Sequence, residues 1–522
     1  MLAVPHSLST KVDSATGVIG VGGLNEIEDM VSAGLAHLDQ SINLQPQLAE
    51  AVPTVENGLW QLKPDGGMET RWIIRTGAQW HDGVPITADD FLFTARVAQD
   101  RELAAFSHIA FSSVESVEAP DSHTIVVKWN KPFIAADAMF TRAQALPLPK
   151  HLLEDSFNAD KANFLQIPYW TTQFIGSGPY KAKTWDPGAG VSLEANPQYV
   201  LGRPRIDALD VRFMADSNTM VANVLAGAVQ VTLGRGLSLE QAIEVRDQWA
   251  SGRMDVVLDG WIMLYPQFID PQPALLADAR FRRALLQSID RPEMANGLQA
   301  GMTSVADSFM SPGDPGYQEV QSQIVRYQYD PRGAAQTFES FRYTRGPDGT
   351  YRDAGNEPFA IEVRQSGIEL SRQTMFAVAG YWQRLGIAVD AVAVPPQRAQ
   401  DRAYMATFPA FVTFNQPTGI DGLRRTHSAN TSLPENGFRT TGNWSRYNNP
   451  EYDALIDQLF NTIPWPNRTQ VLGQIVHQVT DQLTMMGLFY NTIPTLVDNR
   501  LLNVYGKNSG WNADQWELKE RE

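Results

Sequence analysis

The 522-residue chain contains no cysteine. That removes disulfides, thiolate nucleophiles, zinc knuckles and iron–sulfur ligation together. It also suits an oxidising compartment, where a stray thiol is a liability. No run of about 18 apolar residues occurs, so no membrane-spanning helix is predicted. Charged residues make up only 19%, and the net charge is −16. A chain this acidic lacks the basic surface on which nucleic-acid affinity rests, so no nucleic-acid partner is expected. Hydrophobic residues at 43%, with 32 prolines and 39 glycines, give a globular composition. Thirteen tryptophans and 10% aromatics suit a binder of small organic solutes. The length predicts two or three domains. The start, Met1 to His6, shows neither a basic n-region nor an apolar h-region, which fits a cytosolic protein or a mature form with its signal removed.

Catalytic patterns are missing as well. The histidines at 6, 37, 81, 108, 123, 151, 427 and 477 have no metal-ligand helical spacing and form no H-E-x-x-H, so no metal is expected. His81 beside Asp82 reads either as an acid/base pair or as a hairpin residue next to a turn aspartate, and the turn reading is favoured. Gly176-Ser177-Gly178 is superficially like a nucleophile elbow, but G-x-S-x-G is absent and Pro179 blocks the helix that should follow. There is no Walker A loop and no G-x-G-x-x-G after a strand. Asp89-Asp90 sits at a helix start, where the macrodipole already accounts for it. No catalytic residue, no cofactor and no enzymatic activity are assigned.

The first half reads as mixed β with short helices. Leu59–Leu62 and Met68–Arg75 flank the turn Pro64-Asp65-Gly66-Gly67. Met68, Thr70, Trp72 and Ile74 share one face at period 2, which predicts a hairpin with a half-buried strand. Thr87-x-x-Asp90 is like a capping box, and Ser238-x-x-Gln241 opens another helix. Asp290, Asp330 and Asn449 precede prolines within a first turn and predict three further helix starts. At 359–394, Phe359, Ile361 and Val363 alternate as a strand, and a polar loop is expected from Arg364 to Leu370. Met375, Ala379, Trp382 and Leu385 then recur at helical spacing. Gly386 stands where a C′ glycine belongs, and Ile387–Val394 is a second strand. This β-loop-α-β unit predicts parallel strands in an α/β domain. No repeat and no low-complexity linker is present, so crossing strands rather than a flexible tether should join the domains.

Laid end to end, these segments resemble the family 5 extracellular solute-binding proteins of ABC transporters, the dipeptide-, oligopeptide- and nickel-binding group. The resemblance covers nearly the whole chain. It rests on Trp72 to Asp90, on Gly176 to Tyr180 with Trp185 to Gly188 and Asn196 to Tyr199, on Arg282 to Arg291, and on Tyr329-Asp330-Pro331. The Arg282 segment is one residue shorter than the family pattern. Each of these is a turn or a cap, so together they speak for the fold and say little about the ligand. The resemblance implies a mixed α+β, periplasmic-binding-protein-like two-lobed clamshell with an additional inserted domain. One lobe would take 1–44, 176–264 and 488–522. The inserted domain would take 45–175, and the second lobe 265–487. Ligand would be enclosed between lobes and hinge closure stabilised by contacts to both. It further implies a monomer, periplasmic or extracellular and membrane-associated, that hands a small organic solute or short peptide to a membrane permease. A signal encoded upstream of Leu2, with Met1 an introduced start, is expected.

The chain departs from the family where peptide-binding members often carry an aspartate for the peptide ammonium. That stretch reads Phe411 to Asp421, with Phe414, Asn415 and Gln416 at its core and Asp421 several residues later. A neutral amide holds an ammonium less strongly than a carboxylate does. Arg424 and Arg425 follow, which tilts the expectation toward a neutral or anionic solute; solvated surface charge is the competing reading for both. Arg364 and Gln365 lie at the carboxyl end of a strand, where ligands gather in open α/β sheets. Arg364 is a candidate for a carboxylate, or alternatively a partner of Glu362 or Glu369. Trp261 and Tyr265 lie near one predicted lobe crossing and Tyr490 near the other, as candidates for stacking on ligand or for core packing. The rival functions are a peptide-binding chaperone or sensor on the same fold and, on weaker grounds, a hydrolase.

Overall fold

The structure, a computed structural model, describes residues 5–15, 22–233, 236–365, 369–438, 442–505 and 510–520. Helix α1 (Leu24–Val31) turns Leu24, Ile27, Met30 and Val31 inward. The predicted hairpin follows as β1 (Trp60–Leu62) and β2 (Met68–Ile73), with Trp60 opposite Thr70. Met68, Thr70, Trp72 and Ile74 are all 0–1% exposed, so the period-2 face is wholly core. Thr87 donates its backbone N–H to the Asp90 carboxylate at 2.9 Å and opens α2 (Ala88–Ala98). Strands β3 (Val114–Glu118) and β4 (Thr124–Trp129) complete a sheet of order β1-β2-β4-β3. A second, antiparallel sheet consists of β5 (Tyr180–Asp186), β6 (Gly190–Ala195) and β7 (Ala208–Arg212), with β7 at one edge. Ile27, Val31, Phe93, Phe157, Trp170, Tyr180 and Trp516 belong to one buried cluster under these elements.

The predicted helix starts are made by the expected side chains. Ser238 and Gln241 exchange hydrogen bonds reciprocally at 3.1 and 3.2 Å. Asp290, Asp330 and Asn449 each accept first-turn amides at 2.9 Å, from Glu293, Gly333 and Glu451. These bonds satisfy amide donors that a helix cannot pair internally.

The long strand β8 (Gly252–Pro266) leads to the largest sheet. There β9 (Ala360–Gln365), α3 (Glu369–Leu385) and β10 (Ala388–Ala393) form the predicted β-α-β unit, with β9 and β10 parallel from Ala360/Ala388 to Gln365/Ala393. Gly386 ends α3 at φ 101°; an L side chain is strained there. Strand β11 (Phe411–Gln416), the one-turn helix α4 (Leu423–Thr426) and strand β12 (Met486–Asp498) follow. The sheet order is β10-β9-β11-β8-β12. One expectation is corrected. Arg364 and Gln365 belong to β9 and not to a polar loop, because both are paired in register with β10 and with Val412 and Thr413 of β11. Helix α3 likewise begins at Glu369, two residues before Ser371.

The chain makes two compact units, Met1–Val257 with Ile493–Glu522, and Leu258–Thr492. It passes from one to the other inside β8 and again inside β12.

Candidate functional site

The motif residues of the first unit are occupied with structure. His81 is 7% exposed; its Nδ1 accepts the Gly176 N–H at 3.1 Å, so Nε2 carries the proton and donates to the Gly178 carbonyl at 3.0 Å. Burial pushes its pKa down to about 4, which keeps the ring neutral. Asp82 pairs instead with His151 Nε2 at 2.8 Å. The Ser177 hydroxyl accepts from Ala33 N–H at 3.0 Å and donates to Ala33 O at 3.2 Å. A Cβ on Gly176 would lie 1.9 Å from the Val31 carbonyl oxygen, so glycine is required for the two backbones to meet. His81 and Ser177 thus hold a hairpin and a turn together, and neither is placed as a base or a nucleophile. Among the described residues, no group of three His, Cys, Asp or Glu is arranged to hold a metal ion.

The sequence-selected binding residues fall mostly on β8, β9 and β11 of the second unit. Antiparallel register sets Trp261 opposite Gln416, Ile262 opposite Asn415 and Met263 opposite Phe414. Side chains alternate across a strand, so Trp261, Tyr265, Arg364, Phe414 and Gln416 share one face of the sheet. Gln365 and Asn415 share the other, toward α3, where Thr413 Oγ1 donates to the Ser371 carbonyl at 3.1 Å. Gln416 Nε2 donates to the Tyr265 hydroxyl at 2.5 Å, and the Phe414 ring packs between Tyr265 and Trp444 at centroid distances of 6.1 and 5.3 Å. Trp261 and Tyr265 are buried, and burial raises the Tyr265 pKa. Arg364, also buried, donates from Nη1 to the Tyr404 carbonyl at 2.6 Å. Its Nε lies 2.5 Å from Glu362 Oε1, off the hydrogen-bond line, and its guanidinium sits 3.9 Å from the Tyr404 ring centroid.

Asn415 is placed differently. Its Oδ1 is a buried acceptor with no hydrogen-bond partner among the described residues. Gly260 opposes it closely, since a Cβ there would lie 3.2 Å from that oxygen and 2.2 Å from the Gln416 carbonyl oxygen. Arg425 is exposed on α4, whereas Arg424 stacks at 3.7 Å over Phe460 and is partly desolvated, which lowers its pKa. Tyr490 is buried on β12, and its hydroxyl donates to the Met310 carbonyl at 2.7 Å. Sequence reasoning did not select Trp444, Tyr404 or the Thr418–Asp314 pair, whose hydroxyl–carboxylate bond is 3.0 Å. Tyr404 lies 40 residues from the arginine it covers, and no local pattern joins them.

The comparisons identify this scaffold. The family model of bacterial extracellular solute-binding proteins, family 5, matches residues 43–436, and the chain belongs to that family. The oligopeptide-binding protein AppA of Bacillus subtilis is 24% identical over 368 residues, covering 70% of this chain and 64% of that protein. The chain spans between 47% and 64% of the length of the first curated relatives it matches. A periplasmic oligopeptide-binding protein of an oligopeptide ABC transporter from Thermotoga maritima superposes with TM-score 0.81 at 17% identity, over 99% of this chain and 98% of that one. NikA of Brucella suis in complex with Fe(III)-EDTA superposes with TM-score 0.78 at 16% identity, over 95% of each chain. The fold is therefore the periplasmic-binding-protein-like, mixed α/β fold of two-lobed family 5 binding proteins. These structural likenesses concern the fold alone, and their ligands differ. Among the described residues, no helix is long and apolar enough to cross a membrane.

Proposed function

We propose that this protein is an extracytoplasmic receptor that captures a small organic solute or short peptide and delivers it to the permease of an ABC importer. The observation that carries this reading is the family 5 match over residues 43–436. Two occupied candidates support it: His81 and Ser177, the residues most like catalytic groups, are spent on backbone hydrogen bonds. The protein acts as a monomer in the periplasm or at the outer face of the membrane, with residues 45–175 as an inserted domain.

Within the second unit, ligand contacts are assigned to the carboxyl ends of β9 and β11: Gln365, Phe414, Asn415 and Gln416, with Arg425 from α4. Trp261, opposite Gln416, and Tyr265, which accepts from Gln416, support the end of β11, Arg364 positions the end of β9, and Tyr490 of β12 is a further candidate contact. Peptide is a natural ligand class, since the AppA relative is an oligopeptide-binding protein. The unpartnered Asn415 Oδ1 would accept from a ligand N–H or O–H, and as a neutral amide it would hold a free ammonium less strongly than a carboxylate does. Mass spectrometry of small molecules released from the purified protein tests the proposal, followed by calorimetric titration with the compound found. A specific solute bound at micromolar affinity or tighter supports a receptor. Turnover of the released compound by the protein would favour the hydrolase reading.

A further inference from the structure

Four arginines are buried among the described residues: Arg282, Arg291, Arg364 and Arg446, each 8% exposed or less. Three of them are satisfied by the protein. Arg282 donates to the Leu276 and Gln482 carbonyls. Arg291 donates to the Gly487 and Tyr327 carbonyls and pairs with Asp307 at 3.0 Å. Arg364 has the Tyr404 carbonyl and Glu362. Arg446 has no such partners. Its Nε is sealed from solvent without an acceptor, and its two Nη groups have no acceptor either among the described residues. Those Nη groups are not sealed, so an acceptor can reach them from outside. A buried cation without hydrogen bonds is costly, which is why such groups are nearly always paired.

The surrounding chain holds this guanidinium in place. Arg446 has φ 60°, a left-handed conformation that an L residue adopts rarely. On one side the Ser445 carbonyl accepts the Phe268 N–H at 2.9 Å, and the Ser445 hydroxyl donates to Asn443 Oδ1 at 2.9 Å. On the other the Tyr447 ring packs edge-on against Phe268 at 4.9 Å. Phe268 lies just beyond the end of β8, away from the Trp261–Gln416 pair. Asp270, itself at φ 49°, is the carboxylate that acts on Arg446 through space, yet the two form no ion pair. Burial lowers the Arg446 pKa, but a guanidinium stays charged throughout the physiological range.

We propose that Arg446 anchors an anion site that takes a singly charged carboxylate. A guanidinium presents parallel N–H groups that match the two oxygens of a carboxylate, and the two reachable Nη groups supply them. Asp270 sets the charge limit: one carboxylate already faces the cation, so a dianion is repelled more than a monoanion. The site does not rest on the ligand assignment made above, which uses the ends of β9 and β11.

The whole chain, carrying isotope-labelled arginine, tests this by NMR. The Arg446 guanidinium signal, assigned by its loss in Arg446→Lys, should shift saturably as sodium acetate replaces sodium chloride at constant ionic strength. In Asp270→Asn the dissociation constant should fall about 3-fold or more, since the opposing charge is gone. Thermal unfolding is the second readout. Acetate should raise the midpoint of the unsubstituted chain and leave that of Arg446→Met unchanged. If Arg446→Met does not fold, Arg446→Lys replaces it, and a smaller rise than in the unsubstituted chain is expected, because an ammonium cannot make the two parallel bonds. N-acetyl-alanine separates the sources: binding tighter than acetate assigns the site to the end of a peptide chain, and equal or weaker binding assigns it to free carboxylates. A signal that stays still or drifts without saturating overturns the proposal, as does an equal rise of the midpoint in the substituted chain. Sulfate bound more tightly than acetate overturns the assignment to a monoanion.

Discussion

His81 Nε2 donates to the Gly178 carbonyl across 97 residues of chain, at 3.0 Å. With the Gly176 N–H on Nδ1, one imidazole joins the hairpin turn to the Gly-Ser-Gly turn and uses both ring nitrogens to do it. The Gly176 bond does not survive protonation, because a charged ring cannot accept at Nδ1, whereas Nε2 goes on donating to Gly178.

A pH dependence follows. The ring's pKa falls from 6.5 to about 4 on folding, so below pH 6.5 the unfolded chain binds a proton that the folded chain refuses. Stability from this group is complete above pH 6.5 and is lost as pH falls toward 4, by roughly 3 kcal/mol in total. Urea midpoints measured from pH 7.5 to 4 should decline less steeply in His81→Gln than in the unsubstituted chain. His37, also pushed down to about 4 by burial, adds a slope of the same sign to both proteins and cancels in the difference. Equal slopes would mean that His81 titrates freely in the fold.

The same junction fixes the glycines. In Gly176→Ala the new Cβ would meet the Val31 carbonyl oxygen at 1.9 Å, and in Gly178→Ala it would meet Ser32 N at 2.5 Å. Both contacts are with backbone, which cannot rotate aside, so each substitution should cost about 3 kcal/mol or more. Gly188→Ala is the contrast: nothing lies within 4 Å, and only its φ of 80° is strained. Its cost should be about 1 kcal/mol. Thermal or urea unfolding of the three variants reads the order, and equal losses would contradict it.

The scaffold was legible because its signals are local. The hairpin face at Met68–Ile74, the caps at Asp290, Asp330 and Asn449, and the C′ glycine at 386 each need only a few neighbouring residues. The candidate site was legible in its address and not in its arrangement. Sequence placed Arg364 and Gln365 at a strand end, but the last two residues of β9 read as a polar loop because a charged residue inside a buried strand has no sequence signature. What makes it tolerable is Glu362 two residues back and Tyr404 forty residues on. The split of Asn415 and Gln416 onto opposite faces follows from period 2, but which face meets α3 depends on pairing with β8, about 150 residues earlier.

Arg364 therefore invites a stability measurement before a binding one. Removing a buried guanidinium that is paired, hydrogen-bonded and stacked leaves Glu362 uncompensated, and Arg364→Ala should lose about 3 kcal/mol. Affinity for the co-purified solute, measured on the folded protein, should change less than about 3-fold. A large affinity loss with unchanged stability would return Arg364 to direct ligand contact.

Asn415 offers the sharper test of ligand class. Its Oδ1 is a desolvated acceptor without a partner, and an unmet buried acceptor costs about 1–3 kcal/mol until something donates to it. A ligand N–H or O–H at that oxygen would recover the loss. Asn415→Asp keeps the shape and adds the carboxylate found in the corresponding stretch of many peptide-binding members. Since a charge-assisted bond exceeds a neutral one by roughly 1.4 kcal/mol, binding of ligands with a free ammonium should strengthen about 10-fold, and binding of acids should weaken by a similar factor. Arg425→Ala, on the exposed side of α4, should weaken acids alone. Calorimetric titration of both variants with a matched set, a dipeptide, its N-acetyl form and its C-terminal amide, separates the contributions. If the dipeptide gains nothing in Asn415→Asp, and neither variant alters binding of the N-acetyl form, the ends of β9 and β11 do not meet the ligand.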